Sequence, residues 1–214
     1  MRKYDYVLFD LDGTLTDPAE GITNSIAYAL KKMNIPVPPK ESLYKFIGPP
    51  LLDSFTEHFG MSLEEARRGV TYYREYFDAG GLFENAPLPG ALKALAALKR
   101  AGCVNLLATS KPEGAAKRIV ERYGMAEYLD FVCGADLEGV RTAKDIVIRY
   151  ALDAAGITDP KTAVMVGDRS YDVMGAKKNG LDCIGVTFGF GSREELDGAV
   201  FIADAFDEVV DFII

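Results

Sequence analysis

Two aspartates one residue apart close the first apolar run of the chain. The segment YVLFDLDGTLTD places Asp10 and Asp12 directly before Gly13. Side chains two residues apart in an extended segment point to the same side, so both carboxylates can approach one centre. Two close anions repel each other unless a cation or a proton lies between them. Mg²⁺ would meet this requirement because it prefers carboxylate and carbonyl oxygens, although an isolated Asp-x-Asp-Gly is more often a turn.

Two later segments supply groups that suit a phosphate. The run NLLATSKP ends with Thr109, Ser110 and Lys111, which offer hydroxyl, backbone N–H and ammonium groups. Lys144 begins an amphipathic helical pattern, where it could neutralise a phosphate or a nucleophilic carboxylate. Each feature is weak alone, but together they favour phosphate chemistry near the two aspartates.

A further pair of acidic residues follows another apolar run. The segment AVMVGDRSYD places Asp168 after the run and Asp172 four residues later. The two carboxylates could complete a metal site with Asp10 and Asp12. The sequence therefore predicts Mg²⁺ as a cofactor.

The elements that must position these residues alternate along the chain. Short β-branched or apolar runs predict strands at residues 4–10, 104–109, 131–134, 163–167, 183–187 and 200–203. Amphipathic patterns predict helices at residues 90–101, 113–123, 143–155 and 171–179. This alternation is typical of an α/β fold, a parallel sheet with helices on both faces. Ligands of such sheets bind beyond the carboxyl ends of the strands.

Residues 17–83 interrupt this alternation. They contain no convincing strand, but apolar residues recur at helical spacing, and Pro- or Gly-rich breaks separate three or four helices. We expect an all-helical cap domain here, with residues 1–16 and 84–214 forming the α/β catalytic core. Pro87 and Pro89 make an extended return to the core.

Composition limits the classes of partner. The net charge of −8 disfavours nucleic acid and anionic membranes. The cysteines are odd in number and far apart, which favours buried thiols in a reducing compartment, and no apolar run approaches the length of a membrane span. We expect a cytoplasmic protein, either a monomer or a homodimer.

In the order DLDGTLTD, LLATSK, KDIVIRYAL and VGDRSYDV, these motifs resemble those of the haloacid dehalogenase superfamily. The resemblance covers essentially the whole chain. It is closest to the capped phosphatase branch, and the segments LPGALKALAALKRAG and GVTFGFGSREEL are similar to phosphoglycolate phosphatase-like members. It implies a Rossmann-like parallel sheet core with the helical cap inserted after the first motif.

The resemblance also implies roles for individual residues. Asp10 would be the nucleophile that forms an aspartyl phosphate, and Asp12 the general acid and then the general base. Magnesium would be held by the Asp10 carboxylate, the Asp12 backbone carbonyl and Asp168, with Asp172 supporting the site. The substrate would be a small phosphorylated metabolite.

The same resemblance assigns contacts with that substrate. Thr109 and Lys144 would hold the transferring phosphoryl group, together with Ser110, Lys111 and backbone N–H groups of the loops, including that of Gly13. In the cap, the turn KFIGPP would face the active site. Lys45 or the backbone of Gly48 would then touch the leaving group.

Several alternatives stay open at this level. Dehalogenases lack an acid at the position of Asp12, so this alternative fits less well. Phosphonatases use a cap lysine as a Schiff base, and this alternative also fits less well because lysines on helical inserts are usually solvated. A β-phosphoglucomutase-like phosphotransferase and a pyrophosphatase share the four motifs. Phosphoglycolate, a nucleotide and a sugar phosphate all remain possible substrates. A receiver-like phospho-switch also combines Asp, Thr or Ser, Lys and a metal, but it gains nothing from Asp12 or a cap.

Overall fold

The computed structural model describes residues 2–214 and divides into two compact units. One contains the residues up to Thr16 together with Pro87–Ile214, and the other is Asp17–Ala86. The division at residues 86 and 87 lies slightly after the boundary predicted at residues 83 and 84. Short strands β2 (Thr16–Asp17) and β3 (Ala86–Pro87) pair with each other where the chain passes between the units.

The first unit is built on a six-stranded parallel sheet, which confirms the predicted α/β fold. Its strands are β1 (Tyr6–Phe9), β4 (Val104–Pro112), β5 (Phe131–Ala135), β6 (Ala163–Gly167), β7 (Asp182–Val186) and β8 (Phe201–Ala203). Their spatial order is β5-β4-β1-β6-β7-β8, with all pairs parallel. The chain adds strands on one side of β1 and then crosses to the other side. This reversal beside β1 is the switch point at which such sheets bind ligands.

One face of the sheet packs on α6 (Lys144–Ala154) and α7 (Ser170–Asn179). Successive strand residues alternate between the faces, and a buried core joins this face to the two helices. The core includes Leu8, Leu106, Met165, Val147, Ile148 and Val173. Because both helices are anchored in this core, the residues at their amino ends are held at the carboxyl edge of the sheet.

The remaining helices of the first unit are α4 (Ala91–Arg100), α5 (Glu113–Arg122) and α8 (Phe206–Ile213). Helices α4 and α8 pack together, while α5 packs against β4 and β5. The sequence prediction located α4 and α5 but missed α8, whose amphipathic stretch is only two turns long at the end of the chain. The predicted bounds of β6 match the observed ones, and those of the other five strands differ by up to three residues at an end.

The second unit is helical, with α1 (Ala19–Lys32), α2 (Leu51–Phe59), α3 (Leu63–Ala79) and 3₁₀ turns at Lys40–Phe46 and Gly81–Phe83. Helix α3 begins with a capping box, in which Ser62 and Glu65 satisfy each other's backbone N–H groups. Apolar residues of α1 and α3, including Ile26 and Phe77, are buried in the core of the unit.

Two further predictions concern the described chain as a whole. Cys103, Cys133 and Cys183 are free and buried, as predicted. Among residues 2–214, none of the helices has the length and apolar character needed to cross a membrane.

Candidate active site

Residues that are distant in sequence meet at the carboxyl edge of the sheet. Asp10 directly follows β1, Asp168 directly follows β6, and Thr109 lies in β4 on the other side of β1. Because these strands are parallel neighbours, their ends bring the three side chains to one place. The sequence-predicted cluster therefore forms at the switch point.

Three carboxylates form a buried acidic cluster. Asp10, Asp168 and Asp172 each offer one oxygen atom, and these oxygens all lie within 4.8 Å of one another. All three residues are buried, Asp168 and Asp172 completely. A concentration of oxygen donors away from water is the environment that a hard divalent cation prefers. The residues present therefore fit the magnesium site that the sequence predicts.

Lys144 is the first residue of α6 and bridges two members of this cluster. Its Nζ lies 2.8 Å from Asp10 Oδ1 and 2.9 Å from Asp172 Oδ1, and it donates to the Ala108 carbonyl oxygen at 3.1 Å. Burial opposes the charge on this lysine, but the two carboxylates outweigh it and raise its pKa above the ordinary value. Lys144 is therefore a fixed positive charge beside Asp10.

Asp168 is held on both oxygens by groups that sequence reasoning did not identify. Thr14 donates its hydroxyl to Oδ1 at 3.1 Å, and the backbone N–H of Phe190 donates to Oδ2 at 2.8 Å. Gly13 has a φ of 84°, and a Cβ there would lie 2.4 Å from Asp168 Oδ2. A Cβ on Gly189 would lie 2.3 Å from the same oxygen. Glycine at both positions thus gives the backbone room to enclose this carboxylate.

Asp12 has a lysine partner of its own. Lys111 Nζ lies 2.5 Å from Asp12 Oδ2, and both side chains are largely buried. The other oxygen, Asp12 Oδ1, is buried and accepts no hydrogen bond from the described residues. Burial raises the pKa of Asp12 above its ordinary value, and Lys111 partly offsets this. A carboxyl group with a raised pKa and an unused oxygen suits proton transfer.

The charges of the site do not balance when all of its side chains are ionised. Four aspartates face two lysines, Lys111 and Lys144, which leaves two negative charges in excess. Burial and the neighbouring carboxylates raise the pKa of Asp168 to about 7. Burial also raises the pKa of Asp172 despite its contact with Lys144. A divalent cation would offset this excess negative charge.

The other predicted phosphate contacts are sequence neighbours of site residues, since Thr109 and Ser110 precede Lys111 and Gly13 follows Asp12. Thr109 is buried, and its hydroxyl oxygen accepts the backbone N–H of Lys111 at 3.3 Å, while Ser110 is partly exposed. The N–H of Gly13 donates to the Thr16 carbonyl oxygen at 2.8 Å. This N–H would have to change partner to bind a substrate, so the glycine is explained here by its close approach to Asp168.

The predicted substrate contacts in the helical unit are of a different kind. Lys45 is exposed in the 3₁₀ turn Lys40–Phe46, with its ammonium 5.3 Å from the ring centre of Phe46. Gly48 has a φ of 106°, a conformation that favours glycine. The backbone conformation alone therefore explains why a glycine occupies position 48. The contacts of Lys45 and Gly48 with a substrate stay predictions.

Sequence reasoning assigned no role to Thr14 or to the loop containing Phe190. The signal for the loop is the pair of glycines in FGFGS, since Gly189 and Gly191 both approach the Asp168 backbone or side chain too closely for a Cβ. For Thr14, the signal is its position two residues after Asp12. Neither signal names the partner, because the contacts span more than 20 residues along the chain.

Comparisons with known proteins agree with this geometry. The family model described as haloacid dehalogenase-like hydrolase matches residues 7–186. A 5'-nucleotidase of Pseudomonas aeruginosa is 43% identical over 91% of this chain and 87% of its own. Phosphoglycolate phosphatase 1 of the same species is 30% identical over 86% of this chain and 70% of its own. A crystal structure described as a predicted phosphatase from Clostridium acetobutylicum superposes with a TM-score of 0.93 at 48% identity, covering 97% of each chain.

Proposed function

Because this chain belongs to the haloacid dehalogenase-like hydrolase family and is a phosphatase, we propose that it hydrolyses a small phosphomonoester through an aspartyl phosphate on Asp10. The observation that carries the proposal is the buried arrangement around Asp10, in which Lys144 and the excess negative charge mark a place for a cation and a phosphoryl group.

In the first step, an oxygen of Asp10 attacks phosphorus, and the bond between phosphorus and the ester oxygen breaks. Asp12 gives its proton to the departing oxygen, so that an alcohol leaves. The raised pKa of Asp12 and its unused oxygen support this role. The Lys144 Nζ lies 2.8 Å from Asp10 Oδ1, and a carboxylate oxygen of Asp10 is the nucleophile in this step.

In the second step, water attacks the phosphorus of the aspartyl phosphate. Asp12, now ionised, takes a proton from the water, and Asp10 leaves as a carboxylate. Lys111 stabilises Asp12 in its ionised form between the two steps. The same carboxyl group thus serves both half-reactions, and the chain ends each cycle in its starting state.

Asp10, Asp168, Asp172 and the backbone carbonyl of Asp12 would hold Mg²⁺. A bound Mg²⁺ would supply positive charge to the phosphoryl oxygens and to the carboxylates. The contacts of Thr14 and the Phe190 N–H to Asp168 fix the orientation of this carboxylate toward the other two.

Thr109, Ser110 and Lys144 would bind the peripheral oxygens of the phosphoryl group. For the rest of the substrate, we favour a nucleoside monophosphate over phosphoglycolate or a sugar phosphate. The reason is that a relative with 43% identity is named a 5'-nucleotidase, whereas the phosphoglycolate phosphatase is 30% identical.

The test is release of phosphate from p-nitrophenyl phosphate and a set of nucleoside monophosphates, without ATP, as Mg²⁺ is varied. We expect turnover that depends on Mg²⁺, is lost with a chelator, and falls to background in Asp10→Asn. Wild-type turnover equal to that of Asp10→Asn would overturn the proposal and would favour a phospho-switch. Transfer of phosphate to a second sugar hydroxyl instead of water would favour the mutase alternative.

A further inference from the structure

Arg141 lies outside the carboxylate cluster, in the loop between β5 and α6, three residues before Lys144. Its Nε donates to the Gly134 carbonyl oxygen at 2.8 Å, and one terminal nitrogen lies 3.4 Å from Glu113 Oε2. The guanidinium carbon is 3.7 Å from the ring centre of Tyr150, which belongs to α6. This arginine therefore joins the end of β5, the start of α5 and the body of α6.

The end of β4, which directly precedes Glu113, carries Lys111, the second lysine of the site. The register of β4 against β5 shifts between Thr109 and Pro112, so Ser110 and Lys111 form an irregularity in the strand. Such bulges redirect side chains. Here the Lys111 ammonium reaches Asp12.

Gly134 makes this irregularity possible. A Cβ at this position would lie 2.7 Å from the Lys111 carbonyl oxygen and 2.6 Å from the Cα of Glu113. The N–H of Gly134 donates to Glu113 Oε2 at 3.4 Å, and its carbonyl oxygen accepts from Arg141. The Arg141–Glu113 pair thus engages both backbone polar groups of Gly134 at the point where β5 meets the redirected segment.

The backbone of Arg141 is itself fixed by a turn. The Asp136 carboxylate accepts the N–H groups of Gly139, Val140 and Arg141 at 2.8, 3.0 and 2.7 Å. A turn closed by three such bonds holds the guanidinium at a defined distance from Gly134. It also sets the point at which the chain enters α6 and presents Lys144.

We propose that Arg141, paired with Glu113, is a positioning residue that sets the placement of both site lysines. It fixes Lys111 through the irregularity in β4, and Lys144 through the loop that leads into α6. Its catalytic consequence rests on the proposed function, since the lysines matter to catalysis only if Asp12 transfers a proton and Asp10 attacks. The placement of the lysines can be measured without catalysis.

The chain contains a matched control arginine at the opposite end of the sheet. Arg2 also binds one carboxylate and one backbone carbonyl, with Nε at 2.6 Å from Asp5 Oδ1 and a terminal nitrogen at 3.1 Å from the Ala101 oxygen. Arg2→Gln removes one carboxylate contact and one backbone carbonyl contact near the amino end of β1, as Arg141→Gln does beside β5, although only Arg141 also stacks on a tyrosine ring. Comparison of the two variants therefore separates the general effect of removing an arginine from the effect that is specific to the location of Arg141.

The first readout is the reactivity of the lysines, measured by a short pulse of acetic anhydride and mass spectrometry. Lys111 and Lys144 are 8% and 7% exposed, while the side chain of Lys178 is 65% exposed and serves as the internal reference. We expect Arg141→Gln to increase acetylation of Lys111 and Lys144 relative to Lys178. Arg2→Gln should leave both ratios at the wild-type value.

The second readout is turnover of glycerol 1-phosphate, whose leaving group needs a proton, and of p-nitrophenyl phosphate, whose leaving group does not. We expect Arg141→Gln to lower kcat for glycerol 1-phosphate by up to about 100-fold. The loss for p-nitrophenyl phosphate should be smaller, because Lys111 acts through Asp12. Arg141→Lys keeps the charge but lacks the planar fork, so it should restore less than half of the lost activity.

The outcomes separate this inference from the proposed function. Unchanged acetylation ratios in Arg141→Gln, or full wild-type kcat in Arg141→Lys, would overturn the positioning role. A third outcome is increased acetylation of Lys111 and Lys144 in Arg141→Gln, together with a wild-type protein that hydrolyses neither phosphate. This outcome would support the positioning role and overturn the proposed function.

Discussion

The two ends of the same sheet treat acidic residues in opposite ways. At the amino end, each of three aspartates has a hydrogen-bonding or ion-pair partner: Asp5 with Arg2, Asp130 with Lys99, and Asp182 with the Tyr4 hydroxyl. At the carboxyl end, four aspartates share two lysines, and three of the carboxylates are buried within reach of one another. The paired acidic residues at the first end contribute to the fold, whereas the crowded carboxylates at the second end form the proposed binding site.

This contrast is also seen in the pKa values of the carboxyl groups at the second end. Burial raises the pKa values of Asp12, Asp168 and Asp172. A fold gains nothing from carboxylates held in this way. Groups perturbed by both burial and neighbouring charge, at a strand switch point, are typical of sites that bind or transform a ligand.

The largest expected effect on this contrast comes from Asp12→Ala. Loss of a general acid–base should lower turnover of an alkyl phosphate by about two to four orders of magnitude, with a smaller loss for p-nitrophenyl phosphate. The fold should persist with a lower free energy of unfolding, because the largely buried ammonium of Lys111 loses this carboxylate partner. Kinetics on both substrates and circular dichroism check this, and wild-type turnover of the alkyl phosphate would show that Asp12 has another role.

Asp168→Asn should have an intermediate effect, visible in metal dependence and in stability. The folded-state pKa of Asp168 is about 7, against an ordinary value of 3.8, so the metal-free folded protein binds a proton that the unfolded chain releases. Its contribution to stability is therefore lost as the pH rises through this range. The metal-free wild type should melt at a lower temperature at pH 8 than at pH 5, and the variant should show a smaller difference.

The same variant should need at least about tenfold more Mg²⁺ for half-maximal activity, since loss of even an indirect supporting contact costs about that much. Thermal melting with and without chelator, together with a Mg²⁺ titration, measures both effects. Equal pH dependence of melting in the two proteins would show that the titration of Asp168 does not change the stability of the fold. Equal Mg²⁺ requirement would remove it from the metal site.

The smallest effect is expected at the amino end of the sheet. Tyr4 is 2% exposed and donates its hydroxyl to Asp182 at 2.6 Å. Asp182→Ala should lower the free energy of unfolding by about 1–2 kcal/mol, because a hydrogen bond to a charged group is lost. It should leave kcat/KM unchanged. Urea unfolding and steady-state kinetics test this. A loss of activity in the folded variant would show that the acidic residues at the amino end of the sheet also contribute to activity.

The residues that meet at the carboxyl edge of the sheet could be predicted from the sequence because the signals are local, while their catalytic roles stay predictions. An apolar run followed by Asp10 or Asp168 identifies both the strand and its end, and strand order then brings the ends together. The family resemblance supplied the chemical roles. Lys144 was located because a lysine begins an amphipathic helix there.

The contacts that hold these residues could not be predicted in the same way. The pairing of Lys111 with Asp12 depends on an irregularity between β4 and β5, which propensity and periodicity do not encode. The bond from the Phe190 N–H to Asp168 depends on a loop conformation set by neighbouring glycines. Helix α8 was missed because a two-turn amphipathic stretch has a weak pattern and gains its stability from packing on α4.

The central claim is that Asp10 carries the phosphoryl group. The most direct measurement is to quench the enzyme during turnover with Mg²⁺ and p-nitrophenyl phosphate, reduce it with borohydride, and analyse peptides by mass spectrometry. Borohydride reduces an aspartyl phosphate to an alcohol and expels phosphate, so we expect homoserine at position 10 and none at position 12. Homoserine at another aspartate during rapid phosphate release would contradict the claim.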